Sequence, residues 1–247
     1  MTTPELAPLV VLLLSGLLIG FAKTGISTMG MMTLIVMTMI FPAKESAGIM
    51  LPALIAGDAL ALLMYRRHVV WKHLAVLVPW VLAGIVAGYF VLRAVDSREL
   101  GVMMGVLIVT LVVLQAAKER LGPRVNEAAE SRAVGALLGA LAGFATMIGN
   151  VAGVIMAVYL MGKRLPKDRF VGTGAWFFLF VNVLKTPFYV ELGMIDGASL
   201  WSNVWMLPAV LLGAWAGAKT LRRIPERQFQ AIVLLLGAAG GVRLLLM

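Results

Sequence analysis

The chain has 247 residues, 61% of them hydrophobic and only 13% charged, with a mean hydropathy of +0.97. A soluble globular domain carries roughly 25% charge, so that class is excluded, and the net charge of +9 reads as membrane topology and not as a nucleic-acid footprint. There is no cysteine, and the two histidines, His68 and His73, share one basic loop. Disulfides, thiolate metal sites and cysteine nucleophiles are therefore excluded, no metal site or cofactor is expected, and nothing reads as enzyme chemistry.

Apolar runs recur along the chain and are apolar all round, the pattern of a polytopic helical membrane protein. The alternating ~10-residue strands of a membrane barrel are missing from the pattern. The first run, Leu6–Phe21, has neither a basic n-region nor a small-residue cleavage site and reads as a retained segment. Its 16 residues extend about 24 Å against a hydrocarbon core of about 30 Å. The second run is Ile26–Phe41. Between them stands Gly20–Gly30, reading GFAKTGISTMG, where Lys23, Thr24, Gly25, Ser27 and Thr28 interrupt the apolar pattern. Glycine lets the backbone leave a helix, and Ser27 suits the N-cap of the next one. Lys23 either snorkels to the interface or pairs with an anionic substrate.

The third run, Ser46–Tyr65, carries Asp58 in mid-segment, where a carboxylate cannot easily reach water and must be paired, hydrated or protonated. His73–Leu92 and Leu100–Ala116 complete a first membrane repeat at 1–120. A hydrophilic cytoplasmic linker at 121–132 leads into a second repeat at 133–247. Its runs are Ala133–Met147, Val151–Gly162, Phe170–Val190, Leu200–Leu221 and Phe229–Leu246. Gly143–Gly153 reads GFATMIGNVAG and matches the first box at Gly20/Gly143, Phe21/Phe144, Ala22/Ala145 and Gly30/Gly153. Thr146, Gly149 and Asn150 stand at this second interruption, with Asn150 as the expected N-cap. Two helix N-termini meeting there would form an anion site; the bland alternative is close packing of glycines between helices.

Aligning Pro42 with Pro166 places Asn182 where the first half has Asp58, with Lys185 one turn further on and Trp176 inside the same run. Two readings of Asp58 stay open: a structural ion pair with Lys185, and a proton-coupling role. Later echoes are Pro79, Gly84, Gly88 and Arg93 with Pro208, Gly213, Gly217 and Arg222.

Charge orients the ten segments. With the N-terminus outside, the loops holding Arg66, Arg67 and Lys72, the linker, the Lys163–Arg169 loop and the Arg222–Arg227 loop all face the cytoplasm. The first half then starts outside and the second inside. The expected fold is an all-α polytopic membrane protein of two inverted five-segment repeats, each opening with a short broken or re-entrant helix pair. Glycine-interrupted segments at matching places in such repeats point to the binding site of a secondary transporter.

The paired boxes, the Pro-to-Gly echoes, the length and the basic loops resemble the TauE/SafE sulfite exporter family (TSUP transporters) over essentially the whole chain. The resemblance implies a multi-pass permease of the cell inner (plasma) membrane for sulfite, organosulfonates or related small anions. Under this reading Lys23, Thr24, Gly25, Ser27, Thr28, Thr146, Gly149, Asn150, Trp176 and Asn182 are the substrate-binding candidates, and Asp58 and Lys185 the coupling ones. The expected partners are a small anionic substrate and the lipid bilayer, with a homodimer admitted and nucleic acid excluded. An anion channel on the same scaffold and a membrane scaffold subunit without a substrate are the competing functions.

Overall fold

Among the described residues every regular element is helical, as continuous apolar sequence demands where water cannot satisfy the backbone. The computed structural model describes residues 5–24, 30–121, 131–163, 165–220, 235 and 238–246. The first half contains α1 (Leu6–Thr24), α2 (Gly30–Met37), α3 (Ala43–Tyr65), α4 (Trp71–Ala94) and α5 (Ser97–Leu121). The second contains α6 (Arg132–Gly149), α7 (Gly153–Gly162), α8 (Lys167–Glu191), α9 (Gly197–Thr220) and a last helical stretch, α10, at 238–245. Six of these helices are long and apolar enough to cross a membrane.

The short partners are shorter than the sequence pattern implies. The second run was expected over Ile26–Phe41; residues 26–29 lie outside the described ones, and from Gly30 the helix runs 8 residues, about 12 Å, ending at Met37, short of Phe41. α7 has 10 residues, about 15 Å. Neither can cross ~30 Å of hydrocarbon alone. α2 instead packs back on α1, and α7 on α6.

Local sequence sets the other boundaries. α3 and α8 both begin directly after a proline, Pro42 or Pro166, whose carbonyl accepts the first-turn bonds from Ser46 N–H at 2.8 Å and Phe170 N–H at 2.9 Å. α5 starts with a capping box in which the Glu99 N–H donates to Asp96 Oδ1 and the Asp96 N–H to Glu99 Oε2, both at 2.8 Å. Asp196 caps α9 in the same way, and the bond from the Ser199 N–H holds its carboxyl below the usual carboxylate range.

Tertiary packing is exchanged between the halves. α1 lies along α9, α4 lies along α6, and α3 meets α8. Glycines make both long contacts. A methyl group placed on Gly20 would sit 2.0 Å from the Val210 carbonyl oxygen, and one on Gly143 2.1 Å from that of Val81. In return, a methyl group on Gly213 would sit 2.1 Å from the Leu17 carbonyl oxygen and one on Gly84 2.0 Å from that of Ala140. Gly16, Gly139, Gly88 and Gly217 complete four small-xxx-small pairs. So Gly20 and Gly143, the opening glycines of the two boxes, are close-packing residues. The helix break of the second half falls further along, between α6 and α7, while residues 25–29, between α1 and α2, lie outside the described residues.

Candidate functional site

Two buried ionisable side chains, Asp58 and Lys185, and the largely buried Lys23 gather where the halves cross. α1 presses on α3 at Gly57, where an added methyl would stand 3.0 Å from Lys23 Cγ and 3.2 Å from Ile19 Cγ2. That close approach lets Lys23, in the last turn of α1, reach the next residue of α3. Its ammonium lies 2.7 Å from Asp58 Oδ1 and 4.4 Å from the centre of the Phe178 ring. Asp58 is fully buried, and Lys23 keeps 12% of its side chain exposed. Asp58 Oδ1 has no partner besides Lys23, while Oδ2 accepts a bond from Asn182 Nδ2 at 2.6 Å. Asn182 belongs to α8, so this bond ties the two long repeat-equivalent helices together through the positions that the sequence alignment matches.

Lys185 is also fully buried, one turn beyond Asn182. Its ammonium donates to Thr146 O at 2.9 Å, to Thr146 Oγ1 at 2.9 Å and to Asn150 Oδ1. Three donors thus meet three neutral acceptors. A cation on the last carbonyls of α6 is also favoured by the helix dipole. Asn150 closes α6 in the left-handed conformation, with φ of 59°, and is the only non-glycine residue with positive φ among those described. Asparagine tolerates that conformation better than most side chains. Its N–H bonds to Thr146 O at 3.1 Å, that of Val151 to Ala145 O at 3.4 Å, and its side-chain amide to Ala47 O of α3 at 3.2 Å.

A cavity of about 50 Å³ opens between these groups. Its wall includes Lys23, Asp58, Thr146, Asn150 and Asn182, with the first residues of both short helices, Gly30 and Met31 of α2 and Gly153 and Val154 of α7. Gly30 and Gly153 are repeat-equivalent, so two helix starts of one kind share one chamber. At Gly153, where α7 starts after the described non-helical residues 150–152, free N–H groups and the positive dipole end favour an anion there. With both lysines protonated and Asp58 ionised, the buried charges sum to one positive, because Asp58 is the only buried acid among the described residues.

Four of the substrate-binding candidates, Lys23, Thr146, Asn150 and Asn182, therefore share one wall with Asp58, the coupling candidate. Of the other candidates, the described ones do not reach it. Gly25, Ser27 and Thr28 lie outside the described residues. Thr24 turns to the α1–α9 contact, where its hydroxyl donates to Ala214 O at 2.8 Å and Gly20 O at 3.1 Å. Gly149 packs against Leu34 and Met104. Trp176 donates its indole N–H to Arg66 O at 3.4 Å and stacks on Trp71 at 5.0 Å. The α8 residues on the wall are Phe170, Gly174, Phe178 and Asn182 at every fourth position, with Val171 and Ala175 beside them. Trp176 falls off that stripe.

Three further expectations change. Asn150 is not the N-cap of the following helix: α7 starts at Gly153, and the asparagine terminates α6 instead. The Asp58–Lys185 ion pair does not form. The carboxylate is taken by Lys23, which closes on it across the Gly57 gap, and Lys185 is consumed by the end of α6. Snorkelling of Lys23 is replaced by the same pairing. Phe178 was missed, although the four-residue spacing back from Asn182 marks it.

A family model described as Sulfite exporter TauE/SafE matches residues 12–244 of the chain. Comparison with curated proteins and with solved structures found no match.

Proposed function

The chain belongs to the TauE/SafE sulfite exporter family, and on that premise we propose that it is a secondary transporter that carries sulfite or an organosulfonate across the inner (plasma) membrane by alternating access. The observation that carries this reading is Lys23: an ammonium on the wall of a chamber onto which two helix N-termini open. A sulfonate or sulfite head offers three acceptor oxygens, enough for one ammonium and the N–H groups of two helix starts. Lys23, Thr146, Asn150 and Asn182 are the proposed binding residues, and Asp58 carries proton coupling.

The reciprocal contacts of α1 with α9 and of α4 with α6 support two repeats related by a pseudo-two-fold axis. We place that axis in the membrane plane, which makes the repeats inverted and gives one sequence two facing states. Cysteines introduced at Arg67, Arg124 and Arg164 should all react with an impermeant thiol reagent only from the cytoplasmic side. A single one labelled from outside would overturn the orientation and the inversion.

Function is tested with purified protein and with proteoliposomes. Millimolar sulfite or methanesulfonate should raise the melting temperature in detergent, since a ligand that binds only the folded state stabilises it. Lys23→Met should abolish that shift and reduce anion flux at least tenfold while the protein stays folded. Equal flux in wild type and Lys23→Met would remove the ammonium from the site. Flux of the anion with no saturation and no proton movement would instead mark a channel.

A further inference from the structure

We infer that Asp58 occupies the substrate's place on Lys23, so that an arriving anion displaces the carboxylate and the site takes up one proton for each anion bound. This rests on the anion-site reading above and adds its stoichiometry and its competitor. Four observations lead to it. Of the two buried lysines, only Lys23 lies on the cavity wall. Lys185 has its three donor directions engaged by Thr146 and Asn150, which makes it a positioning residue for the α6–α7 break. Asp58 Oδ1 has Lys23 as its sole partner. Asp58 itself lines the same cavity, so a small anion entering it meets the ion pair from the side.

The charge balance follows. A carboxylate and the substrate's oxyanion compete for one ammonium. Once the anion holds Lys23, Asp58 is a fully buried carboxylate left with the Asn182 amide. From α1 it faces Lys23, and from α8 it faces Asn182 directly and Lys185 through space. Neither α2 nor the part of α9 packed on α3 brings a titratable side chain to it among the described residues. Burying an unpaired carboxylate is costly enough that such a group takes a proton. The proton comes from cavity water and adds to a carboxylate oxygen, and it leaves to water when the anion departs and Asp58 returns to Lys23. Chamber charge is unchanged by binding a monoanion, because one negative charge and one proton enter together. The same exchange makes anion movement obligatorily accompanied by a proton in the same direction.

Probes of fixed charge are needed, since sulfite itself titrates near neutral pH. Methanesulfonate and thiosulfate keep one charge state from pH 5.5 to 8.5. Calorimetric titration of the full-length protein in two buffers of different ionisation heat reads the protons taken up per anion. About one proton is expected in wild type, with affinity for either probe falling about tenfold per pH unit over the upper part of that range. In Asp58→Asn no proton should be taken up, the pH dependence should vanish, and affinity at pH 8.5 should exceed that of wild type at least tenfold because the competitor is gone. Probe binding by wild type with no proton uptake at any pH overturns the exchange while leaving the anion site standing. Binding of neither probe nor sulfite by either protein overturns both. The wild-type proton count alone decides the matter should Asp58→Asn fail to fold.

Discussion

Asp58→Ala should be the most damaging single substitution in the charged cluster, lowering stability by about 3–5 kcal/mol. The change removes the only counter-charge of Lys23, whose ammonium is left in a site that is 88% closed to solvent on its own side chain and fully closed at Asp58. It also strands the Asn182 amide, whose N–H donates to Asp58 Oδ2 at 2.6 Å. The diagnostic is the suppressor. Lys23→Met in the same protein removes the unpaired charge while keeping the length of the stem that packs over Phe178 and Gly57, and it should restore most of the lost stability. Lys185→Met should not, because Lys185 is bonded to Thr146 and Asn150. Thermal midpoints of the three single and two double variants in one detergent check this. Rescue by Lys185→Met in place of Lys23→Met would mean that the carboxylate pairs across the halves and not within the first. An added oxyanion should also stabilise Asp58→Ala more than it stabilises wild type, since it supplies the missing negative charge.

A second large effect is expected at the helix contacts. Gly20→Ala and Gly143→Ala place one methyl group 2.0 Å and 2.1 Å from a backbone carbonyl oxygen of the facing helix. Backbone cannot swing aside as a side chain can, so α1 must separate from α9, or α6 from α4. Overpacking of this kind costs about 1–3 kcal/mol, and bulkier residues cost more. Gly20→Leu and Gly143→Leu should abolish recovery of folded protein from the membrane. Gly30→Ala is the control: nothing stands within 4 Å of its added methyl. That variant should melt with wild type and yet alter anion binding, because Gly30 lines the cavity. Fluorescence-detected size exclusion and melting of the five proteins check the prediction. A Gly20→Ala variant as stable as wild type would show that the contact yields freely.

The site was only partly legible in the linear chain, and the misses have one cause. Matching the halves brings out Asp58 with Asn182 and Lys23 with Thr146, because side chains on repeat-equivalent turns occupy equivalent places. It could not say whether Asp58 meets Lys23 or Lys185. The three residues stand on three separate helices, and the choice is made by Gly57, whose missing side chain admits α1. Asn150 looked like a helix start because asparagine suits an N-cap, yet it suits a left-handed C-terminus equally, and the bonds to Ala47 O and Lys185 select the latter. Trp176 stood out by size and by its run, but only the angular position around α8 decides what faces the chamber.

Hydropathy, repeat spacing and the placement of polar residues in apolar runs were enough to establish a helical membrane protein and to single out the helix breaks as its candidate site. These are properties of single segments, set by transfer of side chains and backbone out of water, and they need no partner to be read. Tertiary structure alone decided which glycines break helices and which let them touch, which lysine carries the carboxylate, and which of the candidates share a wall. Those outcomes depend on distances between segments far apart in the chain, and one missing methyl group at Gly57 or Gly20 sets such a distance more firmly than any local preference does.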